Sequence, residues 1–231
     1  MRIYLLGMFS LCYFSWVAVH AQREFWAMSK KTIKQVDKSL PTSFFSTIDT
    51  GLFLTYALCQ FATGLIGDRY HKRSVLTISY AIQAVFFFLM AVAGAIAYSN
   101  NKNGVDNAYQ SLLWVFTLIF MCIGLVQSVD LPSLISVMGN WTHRGNRGLI
   151  TGLWSTCGSI GNILGLQLAP ILLSTWDNKW QYLMVVIGVT YVFIALAMWL
   201  FLVPDPKEIG IEMEAEENKW FFTTNEQEAR S

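Results

Sequence analysis

Six long apolar segments constrain the fold of this chain more than any other feature of its sequence. They run over residues 3–22, 46–67, 75–98, 111–138, 148–173 and 181–203. Each has about the 20 mainly apolar residues that cross a bilayer core of roughly 30 Å. Backbone N–H and C=O groups find no water in that core, so segments of this kind must be helical there. The sequence therefore predicts an all-α integral membrane protein, a bundle of six transmembrane helices.

The distribution of charge divides the chain in two. Hydrophobic residues make up 54% of the 231 residues and charged residues 13%, where a soluble domain has about a quarter charged. Eight of the 15 acidic residues follow residue 204. We expect a transmembrane bundle over residues 1–204, in contact with the lipid bilayer, and an acidic cytosolic tail over residues 205–231. The net charge of +1 gives no reason to expect a nucleic-acid partner.

The sequence offers no chemistry typical of an enzyme. Its longest polar stretch is the final tail, and it contains no Ser-His-Asp set, no suitably placed pair of carboxylates and no P-loop. We therefore predict a protein without catalytic residues and without a cofactor. The four cysteines lie singly in apolar spans, without metal-ligand spacing. We interpret them as small buried side chains and predict no metal site; they are Cys12, Cys59, Cys122 and Cys157.

Basic residues near the span ends indicate the orientation. An even number of spans places both termini on one side of the membrane. With cytosolic termini, the inner positions hold Arg2, Arg69, Lys72, Arg73, Arg144, Arg147 and Lys207. Most outer basic residues lie in segment 24–45, which we interpret as a helical extension of span 1. The acceptor sequence at Asn140 then faces the cytosol and stays without a glycan. An alternative is that residues 1–21 are a cleaved signal peptide.

A first motif lies at the end of span 2. Gly64, Asp68, Arg69 and Arg73 resemble the Gly-x-x-x-Asp-Arg/Lys-x-Gly-Arg-Arg/Lys signature that joins helices 2 and 3 in the major facilitator superfamily. Glycine lets two helices approach closely, and a carboxylate at a helix end can pair with a neighbouring terminus. His71 stands where the signature has its loop glycine, which predicts a different turn.

A second motif runs from span 4 into span 5. It consists of Gly139-Asn140-Trp141, Arg147-Gly148, Gly152-Leu153-Trp154 and Gly161-Asn162-Ile163-Leu164-Gly165. These residues resemble the sugar-phosphate exchanger (glycerol-3-phosphate permease-like) family of that superfamily, and the resemblance covers about residues 11–219. Gly148 with Gly152, and Gly161 with Gly165, are GxxxG pairs that expose bare backbone on one helix face. Tight helix packing is one interpretation, and a substrate path beside the helix is another.

The resemblance also implies a site. His20-Ala21-Gln22-Arg23 is similar to the family's His-x-x-Arg in helix 1, whose arginine binds phosphate. An arginine suits this role because its planar fork donates two parallel hydrogen bonds and stays charged. By position alone, Arg23 can instead be a snorkelling residue near the outer interface. The further lining residues that the resemblance implies are Gln127, Trp154 and Asn162.

The function implied is exchange of a sugar phosphate or other organophosphate for inorganic phosphate. Family members have two six-helix halves with the substrate between them, and this chain corresponds to the N-terminal half. We therefore expect a need for a second six-helix half or for a homodimer. The alternative is a membrane protein that does not transport by itself. The resemblance further implies the endoplasmic reticulum or an endolysosomal membrane.

The chain departs from the family at three positions. Glu24 follows the helix 1 arginine, where many members have a basic residue, and Cys157 replaces a histidine in helix 5. Asp130 replaces a glycine in helix 4 and is either a proton or cation site, a residue near the cytosolic interface, or a partner of a loop cation such as Arg144. Pro132 removes one backbone hydrogen bond and predicts a kink.

Overall fold

The computed structural model describes residues 2–142, 145 and 147–211, and for residues 2 and 65–68 the backbone alone. The described residues form seven α-helices, two short 3-10 helices (Gln110–Leu112 and Pro206–Ile209) and no strand. The α-helices are α1 (Arg2–Val36), α2 (Thr42–Arg69), α3 (Lys72–Lys102), α4 (Leu113–Gln127), α5 (Asp130–Trp141), α6 (Arg147–Thr175) and α7 (Gln181–Phe201). The predicted all-α, six-span bundle is confirmed, with α4 and α5 sharing the fourth span.

The break in the fourth span lies four residues before a proline. Pro132 has no backbone N–H, so the carbonyl of Ser128 lacks its usual helical donor. The N–H of Ser128 still bonds the carbonyl of Gly124 at 3.1 Å, whereas that of Val129 turns to the carbonyl of Val126 at 3.4 Å. The effect expected from Pro132 is therefore present as a gap in the helical hydrogen-bond ladder between α4 and α5, where Ser128 and Val129 keep right-handed helical dihedrals.

Length and composition separate the spans from the loops. Five segments are long and apolar enough to cross a membrane, and they are Ile3–Val36, Lys72–Lys102, Gln110–Trp141, Arg147–Thr175 and Gln181–Phe201. The sixth span is α2, whose 28 residues extend about 42 Å at 1.5 Å per residue. Large apolar side chains point outward from the bundle, among them Phe61 at 86% exposure and Trp114 at 74%. A lipid environment solvates such side chains, so their exposure here is consistent with a membrane-embedded surface.

The six spans pack as three pairs. α1 lies along α6 and α2 along α4, and within each of these pairs the residue numbers rise together, so the helices are parallel. α3 lies along α7 in the opposite direction, with Gly94 against Trp180 and Phe88 against Gly188. Span 1 thus packs against span 5, and span 4 packs against span 2 in the same way. Span 3 packs against span 6. The first three spans and the last three therefore have the same packing pattern.

α1 is longer than a single crossing requires. Its 35 residues make a helix of about 52 Å, against a hydrocarbon core of roughly 30 Å. Beyond the predicted span, Phe25, Trp26 and Ile33 remain buried. The Nζ of Lys30 donates to Oδ2 of Asp49 at 2.7 Å, and the indole N–H of Trp26 donates to Oδ1 of the same carboxylate at 2.7 Å. These contacts attach the extension of α1 to the start of α2.

The chain leaving α7 is held by side chains of α3 and α5. The Nε of Arg73 donates to the carbonyl of Leu202 at 2.5 Å. The indole N–H of Trp141 donates to the carbonyl of Val203 at 2.7 Å, and Asn140 Nδ2 donates to that of Pro204 at 3.1 Å. Carbonyls after a helix end lack partners within the helix, so these bonds fix the exit of α7 against the bundle. The amide of Asn140 is engaged within the protein.

Replacing Trp141 by Phe tests this attachment. The substitution removes the donor to the Val203 carbonyl, and we expect a loss of about 1–3 kcal/mol of stability, the usual cost of an unsatisfied buried acceptor. Trp199→Phe is the matched control, because Trp199 is 56% exposed on α7. Circular dichroism melting of the detergent-purified chain measures the difference. Equal melting temperatures for the two variants would contradict the assigned role.

Candidate functional site

Arg23 presents unused hydrogen-bond donors inside the bundle. Its side chain is half-buried on α1, and its guanidinium carbon lies 5.6 Å from the ring centroid of Phe53 on α2. The Nε atom is buried and has no hydrogen-bond partner among the described residues. The hydroxyl of Tyr56, also on α2, lies within electrostatic reach of Arg23. An arginine with a buried, unpaired Nε is suited to bind an anion, because its planar fork matches a phosphate or carboxylate.

The depth of Arg23 follows from its neighbour in sequence. Gln22 accepts a hydrogen bond from the hydroxyl of Tyr191, which is the central residue of α7. Gly161, the central residue of α6, lies against Val17 and His20 of α1. The residues of α1 around position 20 are therefore level with the middle of two other spans. This placement differs from the outer-end position that the sequence predicts for Arg23.

Two glycines of α6 bring it close to α1 beside the arginine. A Cβ atom added to Gly161 would lie 2.6 Å from the Cβ of His20, and one added to Gly165 would lie 2.6 Å from the Cβ of Glu24. His20 and Glu24 thus face α6, whereas Arg23 faces Phe53 on α2. The carboxylate that follows the arginine in sequence leaves α1 on a different face.

Behind Arg23 lies a chain of buried polar side chains. Gln127 of α4 donates through Nε2 to the Oε1 atoms of Gln22 at 3.1 Å and Gln83 at 3.3 Å. Gln83 of α3 donates in turn to Oδ2 of Asp130 at 2.8 Å. Asp130 is fully buried, and Arg144, one partner that the sequence suggests for it, lies outside the described residues. The network connects Asp130 to the residue adjacent to Arg23.

The predicted lining residues occupy different surroundings. Asn162 follows Gly161, which lies against His20 one turn from Arg23, and Gln127 is 1% exposed within the buried network. Trp154 stacks edge-on against Tyr13 with ring centroids 6.4 Å apart. It also lines a cavity of about 310 Å³ between α5 and α6 together with Arg147. The structure brings Arg23, Asn162 and Gln127 to one region of the bundle, and it places Trp154 about 12 Å from Asn162 along α6.

The glycines and basic residues of the two motifs also differ in their contacts. Gly64, Gly148 and Gly152 have nothing within 4 Å of an added Cβ, so these positions are open in the described part of the molecule. Arg69 is exposed and Arg73 bonds the carbonyl of Leu202. The side chain of Asp68 lies outside the described residues.

Sequence reasoning missed several members of the buried network. Gln22, Gln83, Ser79 and Tyr191 are each at most 3% exposed. The available signal was an uncharged polar residue within an apolar span, since such residues face the bundle interior rather than lipid. Which of them meet one another depends on helix packing, which the sequence alone does not specify.

Comparison with known proteins identifies the fold. Residues 4–226 match the family model described as Major Facilitator Superfamily. This chain belongs to the Major Facilitator Superfamily. Members of this superfamily of membrane transporters have 3+3 repeats nested within each six-helix half. The repeated packing of span 1 with 5 and span 4 with 2 agrees with that membership.

Relatives at about 30% identity carry more specific names. The chain is 29% identical to Sugar phosphate exchanger 3 of Homo sapiens, over 91% of this chain and 45% of the relative. It is 32% identical to Sugar phosphate exchanger 3 of Gallus gallus, over 76% of this chain and 32% of the relative. It is 31% identical to Glucose-6-phosphate exchanger SLC37A2 of Bos taurus, over 75% of this chain and 32% of the relative. The chain spans less than half the length of these relatives.

Gly161→Ala tests the close contact of α6 with α1. The new methyl group would lie 2.5 Å from the carbonyl oxygen of Val17 and 2.6 Å from the Cβ of His20. Neither atom is the end of a flexible side chain, so we expect a loss of about 1–3 kcal/mol from overpacking. Gly152→Ala is the control on the same helix, because nothing lies within 4 Å there. Thermal unfolding in detergent compares the two, and a Gly161→Ala protein as stable as the control would refute the contact.

Proposed function

We propose that this chain forms one six-helix bundle of a transporter that exchanges a sugar phosphate or another organophosphate for inorganic phosphate. One observation carries the proposal, namely Arg23 at mid-level in the bundle with a buried Nε that has no partner among the described residues. An ionisable side chain at this depth is costly unless it serves binding or transport. Its position supports a binding role over snorkelling at the outer interface.

The chemistry of the surroundings suits a phosphorylated ligand. Arg23 offers a planar fork of donors, and the face of Phe53 lies beneath the guanidinium at 5.6 Å. Asn162, next to the α6 glycine that contacts His20, and Gln127 supply neutral amides in the same region of the bundle. The names of the relatives refer to a sugar phosphate and to glucose 6-phosphate, which supports this substrate class for the present chain.

The transport cycle in this proposal requires a second bundle. Alternating access in this superfamily is a rocking of two six-helix bundles around a site at their interface. The exposed face of α6 supports such an interface, because Gly148, Gly152 and Leu153 have open surroundings. We assign this face to a second six-helix half or, in its place, to a second copy of the chain.

The same proposal includes a location and an orientation. The protein would reside in the endoplasmic reticulum or an endolysosomal membrane with both termini in the cytosol. Basic residues at the short connections on one side of the bundle support this orientation, because most of those on the other side lie in the extension of α1. Lys72 and Arg73 begin α3 beside the exit of α7, and Arg147 begins α6.

Arg23→Ala is expected to abolish most of the exchange. Hydrogen bonds to a charged group contribute about 1.5–3 kcal/mol, so phosphate affinity should fall about 10- to 100-fold. Arg23→Lys restores the positive charge but not the paired hydrogen-bond geometry of the guanidinium. The phosphate affinity of this variant should lie between those of the wild type and Arg23→Ala. Uptake of labelled phosphate into proteoliposomes loaded with phosphate measures the effect.

Lys102→Ala serves as the matched control for loss of a positive charge. Lys102 is exposed at the end of α3, far in sequence from the network. The exchange rate of the Lys102→Ala protein should equal that of the wild type. Equal uptake by Arg23→Ala and Lys102→Ala would remove Arg23 from the mechanism and end this proposal.

A second candidate function is that of an assembly partner that does not transport by itself. The open glycine face of α6 favours this reading as much as it favours a transporter half. We expect Leu153→Cys, placed at a 50% exposed position on α6, to form a crosslink in membranes. Trp199→Cys on the lipid-facing surface of α7 is the control. A crosslinked product with no phosphate exchange would favour the assembly partner, and no crosslink above the control would exclude this face as an interface.

A further inference from the structure

Asp130 is a buried carboxyl group that the proposed anion site does not use. It is 0% exposed at the first position of α5. Its Oδ1 lies 2.5 Å from the hydroxyl oxygen of Ser79, and its Oδ2 accepts from Gln83 Nε2 at 2.8 Å. Among the described residues, no lysine, arginine or histidine forms an ion pair with it. A buried charge is costly unless it is paired and hydrogen-bonded.

The hydrogen bonds around Ser79 are better satisfied when Asp130 carries a proton. The hydroxyl oxygen of Ser79 lies 2.5 Å from Asp130 Oδ1 and 3.2 Å from the carbonyl oxygen of Val126, and it accepts from Gln83 Nε2 at 3.0 Å. A hydroxyl group has a single hydrogen to donate. When Asp130 is ionised, that hydrogen serves the carboxylate, and the longer contact with Val126 is left without a hydrogen of its own.

A proton on Asp130 resolves this conflict. The acid O–H at Oδ1 then donates to Ser79, and Ser79 passes its own hydrogen to the carbonyl of Val126. Gln83 uses its two N–H groups for Ser79 and for Asp130 Oδ2. All four contacts become hydrogen bonds with one hydrogen each. We propose that Asp130 is a proton-binding site of this protein, occupied in the conformation described here and emptied when the fourth span changes shape at its break.

The groups around Asp130 agree with a neutral acid. The titratable side chains that reach it electrostatically are tyrosines, Tyr56 from α2, Tyr80 from α3 and Tyr191 from α7. From α1, Cys12 reaches Tyr80. These groups are neutral near neutral pH and provide no positive charge to an ionised carboxylate. When the proton leaves, the hydroxyl of Ser79, the amide of Gln83 and the N-terminus of α5 can stabilise the ionised carboxylate.

The network connects this proton site with the arginine. Gln83, Gln127 and Gln22 lead from Asp130 to the residue next to Arg23. A protonated Asp130 carries no negative charge that would oppose an anion bound nearby. Proton binding and anion binding should therefore favour each other, as linkage requires. This second step rests on the proposed function, whereas the proton site itself does not.

Infrared spectroscopy of the purified full-length chain in lipid nanodiscs tests the proton site directly. At neutral pH the exposed carboxylates are ionised, and a protonated Asp130 would add the carbonyl stretch of a carboxylic acid. We expect this band in the wild type and its loss in Asp130→Asn, whose amide can reproduce the contacts of the neutral acid. Asp49→Asn, at the ion pair with Lys30, should keep the band. Identical spectra for the wild type and Asp130→Asn would overturn the proposal.

A second variant covers the case in which Asp130→Asn does not fold. Ser79→Ala removes the group that accepts the acid proton, so the band should shift in frequency. Labelling the aspartate carboxyl groups with carbon-13 should move the same band in the wild-type chain. A band that responds to neither change belongs to another group, and the proton site is then wrong.

The link to the anion site has a separate readout. Sulfate, a tetrahedral dianion that does not titrate near neutral pH, serves as the probe for stabilisation against heat. We expect sulfate to stabilise the wild type less as pH rises, and Asp130→Asn to show a constant effect. A wild-type response that is as constant as that of Asp130→Asn would refute the linkage. Absence of any sulfate effect counts against the anion site, while the infrared band still decides the proton site.

Discussion

Close packing of α6 against α1 at Gly161 and Gly165 determines which way Arg23 points. Without side chains at these positions, the backbone of α6 reaches His20 and Glu24 of α1 directly. Successive residues of an α-helix are rotated by about 100°, so a face fixed by positions 20 and 24 turns Arg23 toward α2. The arginine's orientation is thus a consequence of two glycines on another helix.

The buried amides behind this arginine satisfy the hydrogen-bonding needs of polar side chains within the spans. Lipid offers no hydrogen bonds, so each polar side chain in a span must find a partner within the protein. Gln22, Gln83 and Gln127 satisfy one another, and Tyr191 and Asp130 complete the set. Five helices contribute to the network, so its geometry specifies their mutual register more narrowly than apolar contacts do.

The sequence predicted the fold well because membrane crossing is a local property. A run of apolar residues of sufficient length indicates a helix without reference to its neighbours, and Pro132 indicates a break in the same way. Arg23 was predicted through a motif, but its depth was not, since depth depends on how far α1 continues past the membrane. The partners of Asp130 were not predictable either. The apolar pattern of the spans indicates that a polar residue faces the bundle interior, but it does not indicate which helices pack against each other. The open surroundings of Gly148 and Gly152, compared with Gly161 and Gly165, show that one motif serves two purposes on a single helix.

The interruption between α4 and α5 gives the bundle an unequal stiffness. By the repeated packing pattern, span 4 is the counterpart of span 1, yet α1 is an unbroken rod of 35 residues and span 4 is jointed at Ser128 and Val129. Bending occurs where the helical hydrogen-bond ladder is missing. We therefore expect span 4 to bend more readily than span 1, at a position next to the carboxyl group of Asp130.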